Sequence, residues 1–299
     1  MVAIGPREIG AAVRTLGMGQ LARYGVAGAS QTDRFESELA AHVGVRHALA
    51  VNSGTSALVC ALAALGVGPG DEVLVPAYTW ISTAAAPVVL GAIPVVVEID
   101  ATLTMDPADL ESKITPRTRA VVPVHMLNLP ADMDRIMDIA RRHGLLVVGD
   151  ACQAVGVTYR SRHLGSIGDA GAFSFNQHKN IRAGEGGAVL VDDERTYVRA
   201  AMLHDVGAYT RGRLTHDELP FVGMNLRMPE VASAVLRPQL RRLHKRMARQ
   251  AERREIMLDA LATRSDVSVS PHNDRRPLWA SRCALTTPRP RGTSHRRAA

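Results

Sequence analysis

From about residue 47 to residue 150 the chain alternates short runs of Val, Ile, Leu and Ala with longer amphipathic stretches, and this alternation restricts the fold more than any other feature. "HALAVN", "EVLVP", "PVVVEID", "RAVVPV" and "LLVVGD" read as strands. "TSALVCALAALG", "PADLESKI" and "PADMDRIMDIARRHG", the last closed by Gly144, read as the helices between them. Strands made of unbroken apolar runs and separated by helices are buried on both faces, which indicates a mainly parallel sheet. The expected fold class is α/β. An N-terminal segment covers 1–29, and a large doubly wound domain covers 30–235. A connecting helix over 236–264 contains "HKRMARQAERREIMLDALATR", and a tail follows from 265 to 299.

The formal charge of +7 suggests nucleic acid until it is located. Residues 265–299 hold seven arginines (275, 276, 282, 289, 291, 296, 297) against Asp266 and Asp274, a net +5 that leaves only +2 for the rest. Trp279 is the only aromatic residue among those arginines, and the segment has neither a helical nor a strand period. The expectation is a solvated, unordered end and no nucleic-acid partner. Cys60, Cys152 and Cys283 are an odd number at wide spacing, which fits a reducing cytosol and argues against a disulfide framework or a metal site. No apolar run has membrane-spanning length and "MVAIGPREIG" is not a signal peptide, so a cytoplasmic protein is expected.

Four local features bear on one kind of site. "NSGTSAL" (52–58) joins a strand to a helix, where small residues and helix N–H groups suit an anion, although an ordinary Ser/Thr cap has the same composition. Asp150 ends the apolar strand of "VVGDACQA", at the sheet edge where doubly wound folds bind ligands. It suits a cationic ring nitrogen, or alternatively a helix cap. Lys179 follows the strand "GAFSF", five residues after Ser174 and just before Gly184, Gly186 and Gly187, which let the chain turn back into "AVLV". "PAYTWIST" (76–83) places Tyr78 and Trp80 after a strand end, where an aromatic face stacks on a flat ring or packs into the core. A phosphate cradle, a carboxylate, an aromatic lid and a lysine together are what pyridoxal 5'-phosphate requires.

The ordered set "NSGTSAL … PAYTW … GDACQA … FSFNQHKN … GEGGAVL … GMNLRM" resembles the DegT/StrS-type sugar aminotransferases of pyridoxal-phosphate fold type I, over about residues 20–245. The resemblance implies that Lys179 carries the cofactor covalently and shuttles the proton, and that Asp150 keeps the ring nitrogen protonated. It further implies that Thr55, Ser56 and Ser174 hold the phosphate, Trp80 stacks on one ring face, Cys152 packs on the other and Gln153 bonds the ring hydroxyl. Asn225 would reach the cofactor phosphate of a neighbouring subunit, which implies a homodimer. A dehydratase branch of the family has histidine in place of the lysine. Here His178 is adjacent, but counting five residues from Ser174 lands on Lys179. The implied reaction moves an amino group from glutamate or glutamine to a keto-sugar, nucleotide-linked in many cases, or to a keto-cyclitol. The alternative is an inert remnant that binds cofactor or partner without turnover. Gly149 stands where the family has glutamate, and Asn128 where it has glycine. The family's closing C-terminal small domain has no counterpart in the apolar pattern, so the chain reads as truncated.

Overall fold

The computed structural model describes residues 4–24, 30–207, 222–264, 268–274 and 285–286. The chain begins with helices α1 (Pro6–Gly17) and α2 (Gln31–Val43), then β1 (His47–Val51), α3 (Gly54–Ala64), β2 (Glu72–Pro76), α4 (Ser82–Val89) and β3 (Ile93–Val97). It continues through α5 (Pro107–Ser112), β4 (Thr118–Val121), α6 (Met133–His143) and β5 (Leu146–Asp150). A small hairpin, β6 (Thr158–Tyr159) with β7 (Arg162–His163), precedes β8 (Ala170–Ser174) and β9 (Gly187–Val191). Helices α7 (Glu194–His204), α8 (Glu230–Leu240) and α9 (Leu243–Leu261) follow, and then the two-residue strands β10 (Ser268–Val269) and β11 (Leu285–Thr286).

Every strand and helix read from the apolar runs is present. Seven strands form one sheet in the order β1-β9-β8-β5-β4-β2-β3. All neighbours are parallel except the pairs that β9 makes with β1 and β8. One face packs against α3, α4 and α7 through Leu58, Leu62, Ala86 and Leu203. The other packs against α2, α6, α8 and α9 through Phe35, Leu39, Ile136, Leu236 and Met247. Fully buried leucines such as Leu39, Leu58 and Leu74 each contribute about 1.5–3 kcal/mol by leaving water. The helix ends follow their sequence signals. The Asp132 side chain accepts from Arg135 N at the start of α6, and Gly144 ends it at φ 66°.

Three boundaries differ from the sequence reading. Residue 236, expected to open the connecting helix, lies inside α8, and the break between helices falls at Arg241–Arg242. Pro238 sits within α8 without ending it. The N-terminal segment is part of the body, because α1 carries Glu8, fully buried, into an ion pair with Arg242. Finally, residues 268–274 of the tail are placed, not unordered. Ser270 Oγ donates to Ala101 O (3.0 Å), Asn273 Nδ2 to Pro130 O (3.1 Å) and Arg160 N to Asp274 (2.8 Å). Polar bonds hold this stretch, and such bonds leave no apolar period in the sequence. Apart from 285–286, the rest of the tail, with its arginines, Trp279 and Cys283, lies outside the described residues. Among the described residues no helix is long and apolar enough to cross a membrane.

Candidate active site

The carboxyl ends of the parallel strands and the first turn of α3 enclose a cavity of about 760 Å3, at the edge where such sheets bind ligands. Its floor is the join between β1 and α3. Ser53 caps α3 by accepting from Ser56 N (3.0 Å), which leaves the other first-turn N–H groups and the positive end of the helix dipole on the cavity side. Packing here is tight enough to demand glycine. A Cβ on Gly54 would stand 2.7 Å from Ser174 Cβ and 3.0 Å from Cys152 Sγ, and one on Gly187 would stand 2.3 Å from Ser53 O. The turn back into β9 belongs to Gly184 (φ 88°) and Gly186 (φ 150°), whereas Gly187 is required for this close approach.

Thr55 and Ser174 line the cavity, and Thr55 Oγ1 donates to Ser82 Oγ (2.8 Å). Ser56 does not line it. Its hydroxyl is turned into the helix cap, donating to Asn52 Oδ1 (2.6 Å) and lying 2.9 Å from Ser53 Oγ. Trp80 is 66% exposed at the cavity wall, so it is not a core residue, and Tyr78 does not reach the cavity.

Asp150, at the end of β5, is 5% exposed and faces the cavity. Its Oδ2 accepts from Thr83 Oγ1 (2.8 Å) and its Oδ1 from Cys152 N (3.1 Å). No helix starts there, so the carboxylate is not a helix cap. Among the described residues no Lys, Arg or His pairs with it. A buried carboxylate that keeps two donors but no cation leaves a place for one on its open side. Burial and the neighbouring Asp150 carboxylate hold the Cys152 thiol well above its ordinary pKa, which makes it a neutral wall and not a nucleophile. Gln153 Oε1 accepts from Leu127 N (3.3 Å), which leaves its amide nitrogen as a donor.

Leu127 (φ 52°) and Asn128 (φ 67°) form another wall, in consecutive left-handed conformations that cost roughly 1–2 kcal/mol each for an ordinary residue. Asparagine tolerates this region, which accounts for Asn128 where glycine was expected. Its Oδ1 also accepts from Asn180 Nδ2 (3.0 Å). At Gly149, inside β5, a Cβ would already be 3.3 Å from Ile167 O, so a long side chain has little room.

The chain has three lysines, and they are easily told apart. Lys113 donates to Val96 O (2.7 Å) and pairs with Asp109 (3.2 Å), while Lys245 is exposed and outside the cavity. Lys179 is partly buried on the cavity wall, and its amine has no hydrogen bond or ion pair among the described residues. His178 also borders the cavity but is exposed. Asn225 is exposed, bridges Asp205 through its backbone and does not line this cavity; its expected role concerns a partner subunit's site. Thr83, Arg182, Arg246 and Gln250 line the cavity and were not singled out from the sequence. Among the described residues no acid, His or Cys cluster could hold a metal.

The sequence profile of the DegT/DnrJ/EryC1/StrS aminotransferase family matches residues 4–297. The chain belongs to this family. It is 44% identical over 215 residues to the GDP-perosamine synthase of Caulobacter vibrioides, covering 72% of this chain and 57% of that protein. Among solved structures, 3-amino-5-hydroxybenzoic acid synthase superposes with a TM-score of 0.83 at 38% identity, over 90% of this chain and 70% of that one. DesV of S. venezuelae, solved with a ketimine intermediate, gives 0.83 at 36% identity, over 95% and 74%. The chain spans 57–65% of the length of the curated relatives it matches. The donor set fits the cofactor that the motifs implied. A helix N-terminus with Thr55 and Ser174 suits its phosphate, the uncompensated Asp150 its ring nitrogen and the unpartnered Lys179 its aldehyde.

Proposed function

We propose that this protein is a pyridoxal-phosphate-dependent aminotransferase that passes an amino group from glutamate or glutamine to a keto-sugar, nucleotide-linked or free, or to a keto-cyclitol. The observation that carries the reading is the pairing, in one cavity, of a buried Asp150 carboxylate without a cation and a Lys179 amine without a partner. Bound there, the cofactor would supply an electron sink for the carbon that loses its proton. Lys179 would anchor it covalently through Nζ, and the same amine, when released, would serve as the base that moves the proton of the donor carbon. Asp150, its two oxygens fixed by Thr83 and the Cys152 N–H, would keep a proton on the ring nitrogen. Thr55, Ser174 and the α3 N–H groups would hold the phosphate, with Ser56 supporting them through the cap. Trp80 and Cys152 would flank the ring, and Gln153 would donate to the ring hydroxyl.

The working form is a homodimer in which Asn225 reaches the neighbouring site. Ile9, Val13 and Leu16 lie on one side of α1 at 56%, 60% and 54% exposure, and Val222 and Met224 beside Asn225 are exposed too; a second copy would cover such apolar positions. Reduced cysteines suit a cytoplasmic setting. Cys60 and Cys152 are both free, and burial holds the Cys60 thiol up at about 12.

A single-turnover experiment tests the reading. Adding glutamate or, in a parallel sample, glutamine to the cofactor-loaded protein should abolish the absorbance of the lysine-bound cofactor within one turnover for at least one of the two. A band that persists with both donors would contradict transamination and leave a cofactor-binding protein without turnover. Mass spectrometry of products from a panel of keto-sugars and keto-cyclitols then identifies the acceptor.

A further inference from the structure

At the end of the cavity reached by α9, two arginines face the open space without an acid. Arg182, three residues after Lys179, and Arg246, on α9, both line the cavity, and neither has an acidic partner among the described residues. Arg182 Nε is buried with no hydrogen-bond partner, and so is Gln250 Oε1 one turn along α9 from Arg246. The two guanidinium groups are close enough to repel. Burial, then Arg182 and Arg242, lower the proton affinity of Arg246. Arg242 is occupied by Glu8, and Glu185, the nearby cavity acid, accepts from Asn176 Nδ2 (2.9 Å). Holding two uncompensated cations together is costly unless an anion joins them.

The supports of this pair are rigid. Gln239, 4% exposed, clamps the Arg182 backbone by accepting from its N–H (3.1 Å) and donating to its carbonyl (2.7 Å). Leu243 and Met247, 1% and 2% exposed, seat α9 on the body, and Arg246 and Gln250 at i and i+4 share one side of that helix.

We propose that Arg182 and Arg246 form a second oxyanion subsite, separate from the cradle at Thr55 and Ser174, that takes a phosphate or diphosphate ester group of the acceptor substrate. Two guanidinium groups match the two charges of such a group, whereas a single carboxylate neutralises one of them. Gln250 Oε1 is an acceptor, which a phosphate oxygen cannot satisfy, so it calls for a hydroxyl of the same ligand. The ligand class is therefore a phosphorylated polyhydroxy compound. The inference rests on the cofactor reading of this cavity, in which the cofactor's own phosphate would occupy the cradle.

The test is calorimetric titration of inorganic pyrophosphate, with glutarate for comparison, into cofactor-loaded protein. Arg182→Gln and Arg246→Gln combined should weaken pyrophosphate binding by about tenfold or more, the loss of at least one charge-assisted contact, with the cofactor absorbance unchanged. That absorbance also reports that the variant is folded. Arg182→Lys with Arg246→Lys should recover part of the affinity. Unchanged pyrophosphate affinity in the Gln variant, no pyrophosphate binding by the loaded wild type, or tighter binding of glutarate would each overturn the subsite alone. A wild-type protein that takes up no cofactor would overturn the cofactor reading, and the subsite with it.

Discussion

Gly187 opens β9 opposite Val51 of β1 on one side and Ser174 of β8 on the other. A Cβ added there would meet Ser53 O at 2.3 Å, Ser53 C at 2.5 Å and Gly54 N at 2.8 Å, all backbone atoms of the cradle. For Gly187→Ala the carbonyl of Ser53 has to retreat by about 0.7 Å to restore 3.0 Å, and it carries the first turn of α3 with it. Overpacking typically costs about 1–3 kcal/mol, and this case should fall at the upper end because no flexible side chain can absorb the clash. The displaced turn should also lose at least one contact to the phosphate, so cofactor affinity falls by about tenfold or more. Gly184→Ala is the control. Its φ of 88° imposes roughly 1–2 kcal/mol of backbone strain, but nothing lies within 4 Å of the new Cβ. Urea midpoints and cofactor titrations of both variants test this. Wild-type cofactor affinity in Gly187→Ala, or equal losses of affinity in the two variants, would refute the argument that close approach to Ser53 is what requires glycine.

Asp150→Asn should keep the covalently bound cofactor and lose most turnover, because a neutral ring is a poor electron sink; unchanged turnover would assign Asp150 a purely structural role. Thr83→Val removes a buried donor to that carboxylate and should cost about 2 kcal/mol of stability, read from denaturant midpoints, with a smaller loss of turnover than Asp150→Asn. Burial holds His125 down at about 3 and His204 at about 4, so between those values and pH 6.5 the unfolded chain binds more protons and each residue removes about 1.4 kcal/mol of stability per pH unit on acidification. Glu36, raised by burial to about 7 against the pull of Arg23, acts in the opposite sense from pH 7 down to 4.5, while burial also lowers His42, His163 and His272, so between pH 6.5 and 5 the net loss should be at least one histidine's slope; a flat profile would contradict it. Ending the chain after residue 264 removes the bonds of Ser270 and Asn273 and should lower stability, yet it should leave the cofactor absorbance intact because among the described residues no cavity residue lies beyond Gln250.

The sheet was legible because its strands are short, apolar and separated by helices of recognisable period. Helix α4 was not, since "STAAAPVV" has no polar face and carries Pro87 inside it. The direction of β9 could be inferred only from the glycines that turn the chain, as "AVLV" reads the same in a parallel strand. That Thr55, Asp150, Ser174 and Lys179 line one cavity was legible because each sits in a short motif beside a strand end. Arg182 and Arg246 were not, because what matters is their meeting across 64 residues of chain, and each alone looks like one more surface arginine. Ser56 shows the limit of reading composition at a helix start, for its hydroxyl serves the cap and not the cavity.

Lys179 is the residue on which the proposed chemistry depends. Borohydride reduction of the loaded protein, followed by proteolysis and mass spectrometry of the peptides, answers this directly, because the chain has only three lysines. The pyridoxyl mass should appear on the peptide containing Lys179, whose amine alone among the three opens onto the cavity. The same mass on Lys113 or Lys245, or on no lysine at all, would contradict it.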